Sequence, residues 1–124
     1  MRPSRVLIVD DDFISNFDHC EALKDIGFDA FSVHCAAAAF EAVDGAAELS
    51  ALVTDIDLGA GPDGFEVARR ARVANPNLPV VYISGTAEAR FGSEGVERSE
   101  FLRKPVQPPE ILEALCRLFA MKAG

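Results

Sequence analysis

The sequence predicts an α/β fold with helices packed on a parallel sheet, and three observations carry that prediction. Five short β-rich runs alternate with helix-length segments along 124 residues. The clearest runs are unbroken apolar stretches, which suit strands buried on both faces. Acidic residues then collect where those runs end, the edge at which open parallel sheets hold their ligands.

Val6 to Val9 is the first strand and runs into Asp10. Asp12 is placed to cap the next helix, in which Phe13, Phe17, Cys20 and Leu23 form an apolar stripe at near-helical spacing. Gly27 stops that helix. A weaker strand, Ala30 to Val33, leads to a second helix over Ala36 to Val43, ended by Asp44-Gly45. Ala51 to Thr54 is the third strand and runs into Asp55. Phe65, Ala68, Ala71 and Arg72 carry a third helix, closed by Asn75-Pro76. Pro79 to Ser84 is the fourth strand, in which Val80, Val81, Tyr82 and Ile83 favour extended backbone. Between Ala87 and Glu100 the pattern weakens, because Gly92 and Gly95 each cost about 1 kcal/mol against alanine in a helix. A short, irregular or mobile fourth helix is expected there. Phe101 to Arg103 is the last strand, and Pro108-Pro109 opens a final helix with Ile111, Leu112, Leu115 and Phe119 on one side.

The length fits one domain over residues 1–124 and leaves no room for a second. Hydrophobic residues at 49% and charged residues at 26% give ordinary globular composition rather than disorder. Twelve Lys and Arg against twenty Asp and Glu leave a net charge of −8, which repels nucleic acid and anionic membrane and suits a basic partner surface or a bound cation. Cys20, Cys35 and Cys116 are odd in number and widely spaced, against both a disulfide framework and a zinc site. Each stands in an apolar stretch, so buried free thiols are expected. Met1-Arg2-Pro3 leads straight into the first strand without a signal peptide or membrane span, so a cytoplasmic protein is expected.

The chemistry-bearing residues lie at strand ends. Asp10, Asp11 and Asp12 follow the first strand, and Asp55 and Asp57 follow the third. Carboxylates crowded into one crevice raise one another's pKa unless a cation joins them, and hard oxygen ligands favour Mg²⁺ or Mn²⁺. A helix cap needs one aspartate, Asp12, and three in a row exceed that need. Ser84 offers a hydroxyl at the end of the fourth strand. Lys104-Pro105 offers a cation at the end of the fifth, with a candidate cis peptide bond.

Four ordered motifs then give the chain a family resemblance. Val9-Asp10-Asp11-Asp12, Thr54-Asp55-Ile56-Asp57-Leu58 with downstream Asp63-Gly64, Tyr82-Ile83-Ser84-Gly85, and Leu102-Arg103-Lys104-Pro105-Val106 together resemble the receiver domains of two-component response regulators. The likeness runs from about Arg5 to Ala120 and includes the single-domain chemotaxis regulator. It implies a flavodoxin-like (βα)5 fold, doubly wound, with strand order 2-1-3-4-5. Asp55 looks like the phosphoacceptor. Asp11 resembles a direct metal ligand, Asp10 one acting through water, and Asp57 the donor of a backbone carbonyl to the metal. Ser84 matches the hydroxyl that bonds the phosphoryl group, Lys104 the lysine that pairs with it, and Phe101 an aromatic switch. A histidine kinase or histidine phosphotransfer protein would donate phosphate. The signal would pass to a downstream protein partner, from a monomer or a phosphorylation-linked dimer, and no output domain is expected.

The sequence departs from the family pattern after Asp55. Gly59 stands where a proline is common, and Gly59-Ala60-Gly61-Pro62 carries one residue more than usual, so a longer and looser loop is expected. Two other readings compete with phosphoryl acceptance. One is a binding module of the same fold that ignores phosphorylation. The other is a phosphohydrolase using Asp55-Ile56-Asp57, for which the motif lies too late and the chain is too short for a cap domain.

Overall fold

Each of the five β-rich runs forms a strand. The elements are β1 (Arg5–Val9), α1 (Phe13–Asp25), β2 (Asp29–Val33), α2 (Ala36–Gly45), β3 (Ala51–Asp55), α3 (Gly64–Ala74), β4 (Val80–Ser84), α4 (Glu88–Glu94), β5 (Ser99–Arg103) and α5 (Pro108–Ala123). This computed structural model describes residues 4–45 and 48–123, so the expectation placed on Met1, Arg2 and Pro3 lies outside the described residues. The five strands pair in parallel in the order β2-β1-β3-β4-β5, as the family resemblance implies. Among the described residues no helix is long and apolar enough to cross a membrane.

The pleat divides the core in two. Leu7, Val9, Leu52, Val80 and Tyr82 face α2 and α3, where Ala39, Val43, Phe65 and Ala68 pack. Val6, Ile8, Val53, Val81 and Ile83 face α1 and α5, where Cys20, Leu23, Ile111 and Leu115 pack. Both faces of β1, β3 and β4 are therefore buried, which is why their sequences do not alternate with polar residues. β1 lies between β2 and β3, so the chain winds away from it in both directions. The turns after β1 and β3 diverge and leave a crevice at the carboxyl edge.

Two expectations are corrected. Phe13 and Phe17 do not face the core; they are 65% and 64% exposed, and α1 buries Asn16, His19, Cys20 and Leu23 instead. The phase of the helix follows Asn16, whose amide donates to the carbonyls of Asp10 and Val33 at the ends of β1 and β2. Apolar spacing points elsewhere because two residues of the true inner face are polar. Cys35 and Cys116 are exposed rather than buried, and only Cys20 is enclosed. Cys35 sits at the turn into α2, and Cys116 lies on the outer side of α5, between buried Leu115 and Leu118.

The fourth helix is as short as expected, at seven residues. Gly95 does more than interrupt it. A Cβ there would come within 2.7 Å of the Phe91 ring, so glycine is what lets the chain turn back over that side chain. Phe91 is half-buried against the core, between Tyr82 and Phe101.

Two substitutions separate the buried pattern from the apparent one. Leu52→Ala, in the central strand, should destabilise the fold by about 3 kcal/mol in denaturant unfolding. Phe17→Ala, which sequence spacing alone would rank as equally severe, should change stability by less than about 0.5 kcal/mol.

Candidate functional site

Four strand ends bring their polar residues to the crevice. Asp10 follows β1, Asp55 ends β3, Ser84 ends β4 and Lys104 follows β5. Asp55 is only 3% exposed. One of its carboxylate oxygens accepts from Lys104 Nζ at 2.8 Å, and the other accepts from the Asp57 backbone N–H at 3.3 Å. Carboxylate oxygens of Asp10, Asp11 and Asp55 all lie within 4.8 Å of one another. Turns that are distant in sequence therefore converge on a single acidic pocket with one ammonium beside it.

Burial dominates the electrostatics. Loss of water pushes the Asp55 carboxyl from its ordinary 3.8 up to about 6, with the Asp10 charge adding to the rise and the Lys104 bond opposing it. Burial also pulls down on the Lys104 ammonium. The bond to Asp55 and the charges of Asp55, Asp10 and Asp11 outweigh that pull, so its pKa ends above the usual lysine value. One cation does not balance three carboxylates, and the remaining negative potential invites a second.

Each arm of the pocket is fixed locally. The Asp10 side chain accepts from the Asp12 N–H at 2.9 Å, which closes the turn after β1. Asp12 itself caps α1, accepting from the backbone of Ile14 and Ser15, and those bonds hold its carboxyl below the usual range. The Asp10 carbonyl accepts from Asn16 Nδ2 and lies 3.2 Å from His34 Nδ1. Lys104 is joined to Pro105 by a cis peptide bond, as the sequence suggested. Asp57 meets the site through its N–H, while its exposed carboxylate accepts from the Thr86 hydroxyl at 3.3 Å.

Ser84 is buried, and its Oγ accepts from the backbone N–H groups of Thr86 and Ala87 at 3.1 and 3.0 Å. Those bonds organise the start of α4 and leave the hydroxyl proton free to donate. Phe101 stands beside Tyr82 in the sheet register and packs on Phe91 at 5.6 Å between ring centroids. Tyr82 in turn packs on Phe65 and accepts from the Val96 N–H. An aromatic row thus runs from the end of α4 to β5.

In the loop after Asp55, Gly59 and Gly61 adopt left-handed backbone at φ 88° and 96°. Its far end is tied. Gly64 donates to the Ile56 carbonyl at 2.8 Å, and a Cβ on Gly64 would fall 2.9 Å from Ile56 Cα and collide with the Asp55 carbonyl. The Asp63-Gly64 pair therefore presses α3 against the backbone of Asp55 itself.

Sequence reasoning missed Asn16, His34 and His19. The available signal was Asn16 at the same helical spacing as Cys20 and Leu23, a polar side chain on an otherwise inward face.

The sequence pattern of the response regulator receiver domain matches residues 6–116. Among solved structures, a response regulator receiver protein from Sinorhizobium medicae superposes with a TM-score of 0.92 at 37% identity, covering 97% of each chain. The chemotaxis response regulator CheY4 of Vibrio cholerae gives 0.80 at 22% identity over 94% of this chain and 98% of that one. The receiver domain of a sensor histidine kinase from Pseudomonas aeruginosa, solved with a magnesium ion coordinated in its active-site cleft, gives 0.79 at 18% identity over 95% and 98%. None of the curated protein sequences matches the chain.

The raised Asp55 value sets a pH dependence. Because the folded value of about 6 lies above the ordinary 3.8, this group's contribution to stability is full below pH 3.8 and lost as pH rises through about 6. A divalent cation needs the charged form, so protons compete with it below about pH 6. The rise in melting temperature on adding Mg²⁺ should be large at pH 7.5 and small at pH 5. Thermal melts at both pH values, with and without Mg²⁺, check this.

Proposed function

Because the chain belongs to the response regulator receiver domain family, we propose that it accepts a phosphoryl group on Asp55 and signals through protein–protein contact. The observation that carries this reading is the buried Asp55 carboxylate, with Lys104 Nζ at 2.8 Å and the Asp10 and Asp11 oxygens within 4.8 Å.

The donor set fits Mg²⁺ or Mn²⁺: clustered hard oxygens, an excess of negative charge, and a pocket open to solvent through exposed Asp11. Asp10, Asp11 and Asp55 would hold the ion, with the Asp57 carbonyl as a further ligand, and the magnesium in the Pseudomonas aeruginosa relative supports that assignment. When bound, the ion supplies charge neutralisation to phosphoryl oxygens.

The chain's own residues supply the rest. An Asp55 oxygen forms the new O–P bond as the P–N bond of a phosphohistidine, or the P–O bond of a small donor, breaks. The leaving atom keeps the electron pair and takes its proton from water. Lys104, already paired with Asp55, neutralises a phosphoryl oxygen with little movement. The free Ser84 O–H is the donor for another oxygen, and drawing it toward the phosphoryl group loosens its two bonds at the start of α4. Phe101 and Phe91, next in that aromatic row, are the switch surface for a downstream partner.

A phosphodonor protein must bring its histidine to the crevice. Phe13, Ile14 and Phe17 form an exposed apolar surface directly after the Asp10-Asp11-Asp12 turn. This surface does not include Asp55, and it is the one observation that favours the phosphorylation-independent reading.

Incubation with a small phosphodonor and Mg²⁺ should add one phosphoryl group by intact mass, and Asp55→Asn should abolish it. Phe13→Ser with Phe17→Ser should leave small-donor labelling unchanged while slowing transfer from a histidine phosphotransfer protein by about tenfold or more. If Asp55→Asn keeps partner binding and signalling intact, the phosphorylation-independent module is the correct reading.

A further inference from the structure

α1 also reaches the turn that carries Lys104. His19 is 7% exposed, and its Nε2 lies 3.2 Å from the Val106 carbonyl oxygen. A carbonyl oxygen only accepts, so the ring donates from Nε2 and its Nδ1 is left as an acceptor. That Nδ1 is buried without a partner. What an imidazole offers here over an apolar ring of similar size therefore lies in the Nε2–H bond.

Val106 closes the Lys104-Pro105-Val106 turn. The Lys104 N–H donates to the Ser84 carbonyl at 3.1 Å, while Pro105 has no N–H to give. The turn is thus held from two sides, by β4 at Lys104 and by α1 at Val106. The Lys104 side chain is 40% exposed and has four rotatable bonds, so its placement against Asp55 depends on a fixed backbone origin.

Three residues earlier on the same buried face, Asn16 donates to the Asp10 carbonyl on the opposite arm of the crevice. One helix therefore grips both sides of the site through two buried polar side chains, less than one turn apart.

We propose that His19 is a positioning residue for Lys104, and that α1 acts as a strut fixing the distance between the acidic arm and the lysine arm. The proposal rests on Asp55 as the phosphoryl site. It adds that a residue remote from the chemistry sets how well a phosphoryl-shaped anion is held.

The test is the affinity of the Mg²⁺-loaded protein for beryllium trifluoride, a phosphoryl-shaped anion that binds carboxylate, measured by titration calorimetry. The affinity for Mg²⁺ alone is measured in parallel. His19→Leu should weaken the fluoride complex by about fivefold or more and leave Mg²⁺ affinity within about twofold. His19→Gln, whose amide nitrogen can replace Nε2 as donor, should restore most of the loss. In a Lys104→Met background His19→Leu should have no further effect, because the two act through one interaction. An unchanged fluoride affinity in His19→Leu would overturn the proposal, as would an equal loss in the Lys104→Met background. Should His19→Leu fail to fold, His19→Met carries the same comparison. A protein that shows this pattern yet takes no phosphate from any donor would sink the proposed function and leave the strut standing.

Discussion

Negative charge in the crevice is the constraint on which the rest depends. Asp55 is withdrawn from water at the end of a central strand, Asp10 is buried beside it, and Asp11 completes the cluster. Such an arrangement is unfavourable by itself, as the raised Asp55 value records. It persists because the carboxylates are carried by β1 and β3, whose positions are set by burial on both sheet faces rather than by anything in the pocket. The hydrophobic sheet holds like charges together, and their mutual repulsion becomes affinity for whatever positive or metal-bridged group arrives.

The site is correspondingly over-determined in its backbone. The Asp10 turn is closed by the Asp12 N–H, Asp55 is backed by Gly64 without space for a methyl group, and Lys104 is anchored on Ser84. Preorganisation of this kind matters for phosphoryl transfer, where positioning and charge neutralisation are most of what a protein supplies. The exposed ion pairs elsewhere, such as Arg117 with Glu100 and Arg70 with Asp44, are screened by solvent and contribute little by comparison.

How much was legible in the sequence follows from which forces leave local traces. Strands buried on both faces must be apolar throughout, so Val6 to Val9 and Val80 to Ile83 announced themselves. The carboxylates at their ends were readable because the parallel topology sends all carboxyl ends to one edge. The phase of α1 was not readable from hydropathy, since Asn16 and His19 face inward for hydrogen bonds that only the assembled sheet creates, while Phe13 and Phe17 face water. The exposure of Cys35 and Cys116 is hidden for the same reason: an apolar neighbourhood in sequence does not say which way a residue faces. Gly95 interrupts a helical pattern in sequence, and its close approach to Phe91 gives it a second role that spacing cannot reveal.

Two of those illegible residues share a feature with Ser84, which the sequence did show. Asn16, His19 and Ser84 are buried polar side chains bonded mostly to backbone groups, those of other segments for Asn16 and His19 and those of the following turn for Ser84. An apolar contact tolerates a small slide, but a buried hydrogen bond to a backbone carbonyl does not, because the group it leaves has no water to turn to. A sheet packed only by aliphatic side chains would fix the crevice approximately. Directional bonds from three side chains fix the acidic turn, the lysine turn and the start of α4 to the same frame. On the proposed function, the Ser84 bonds are the ones a phosphoryl group competes for, because the same oxygen that organises α4 carries the proton the phosphoryl group needs. Asn16 and His19 hold the frame still while that competition is decided, and a frame that yielded along with Ser84 would absorb the signal instead of passing it to Phe91 and Phe101.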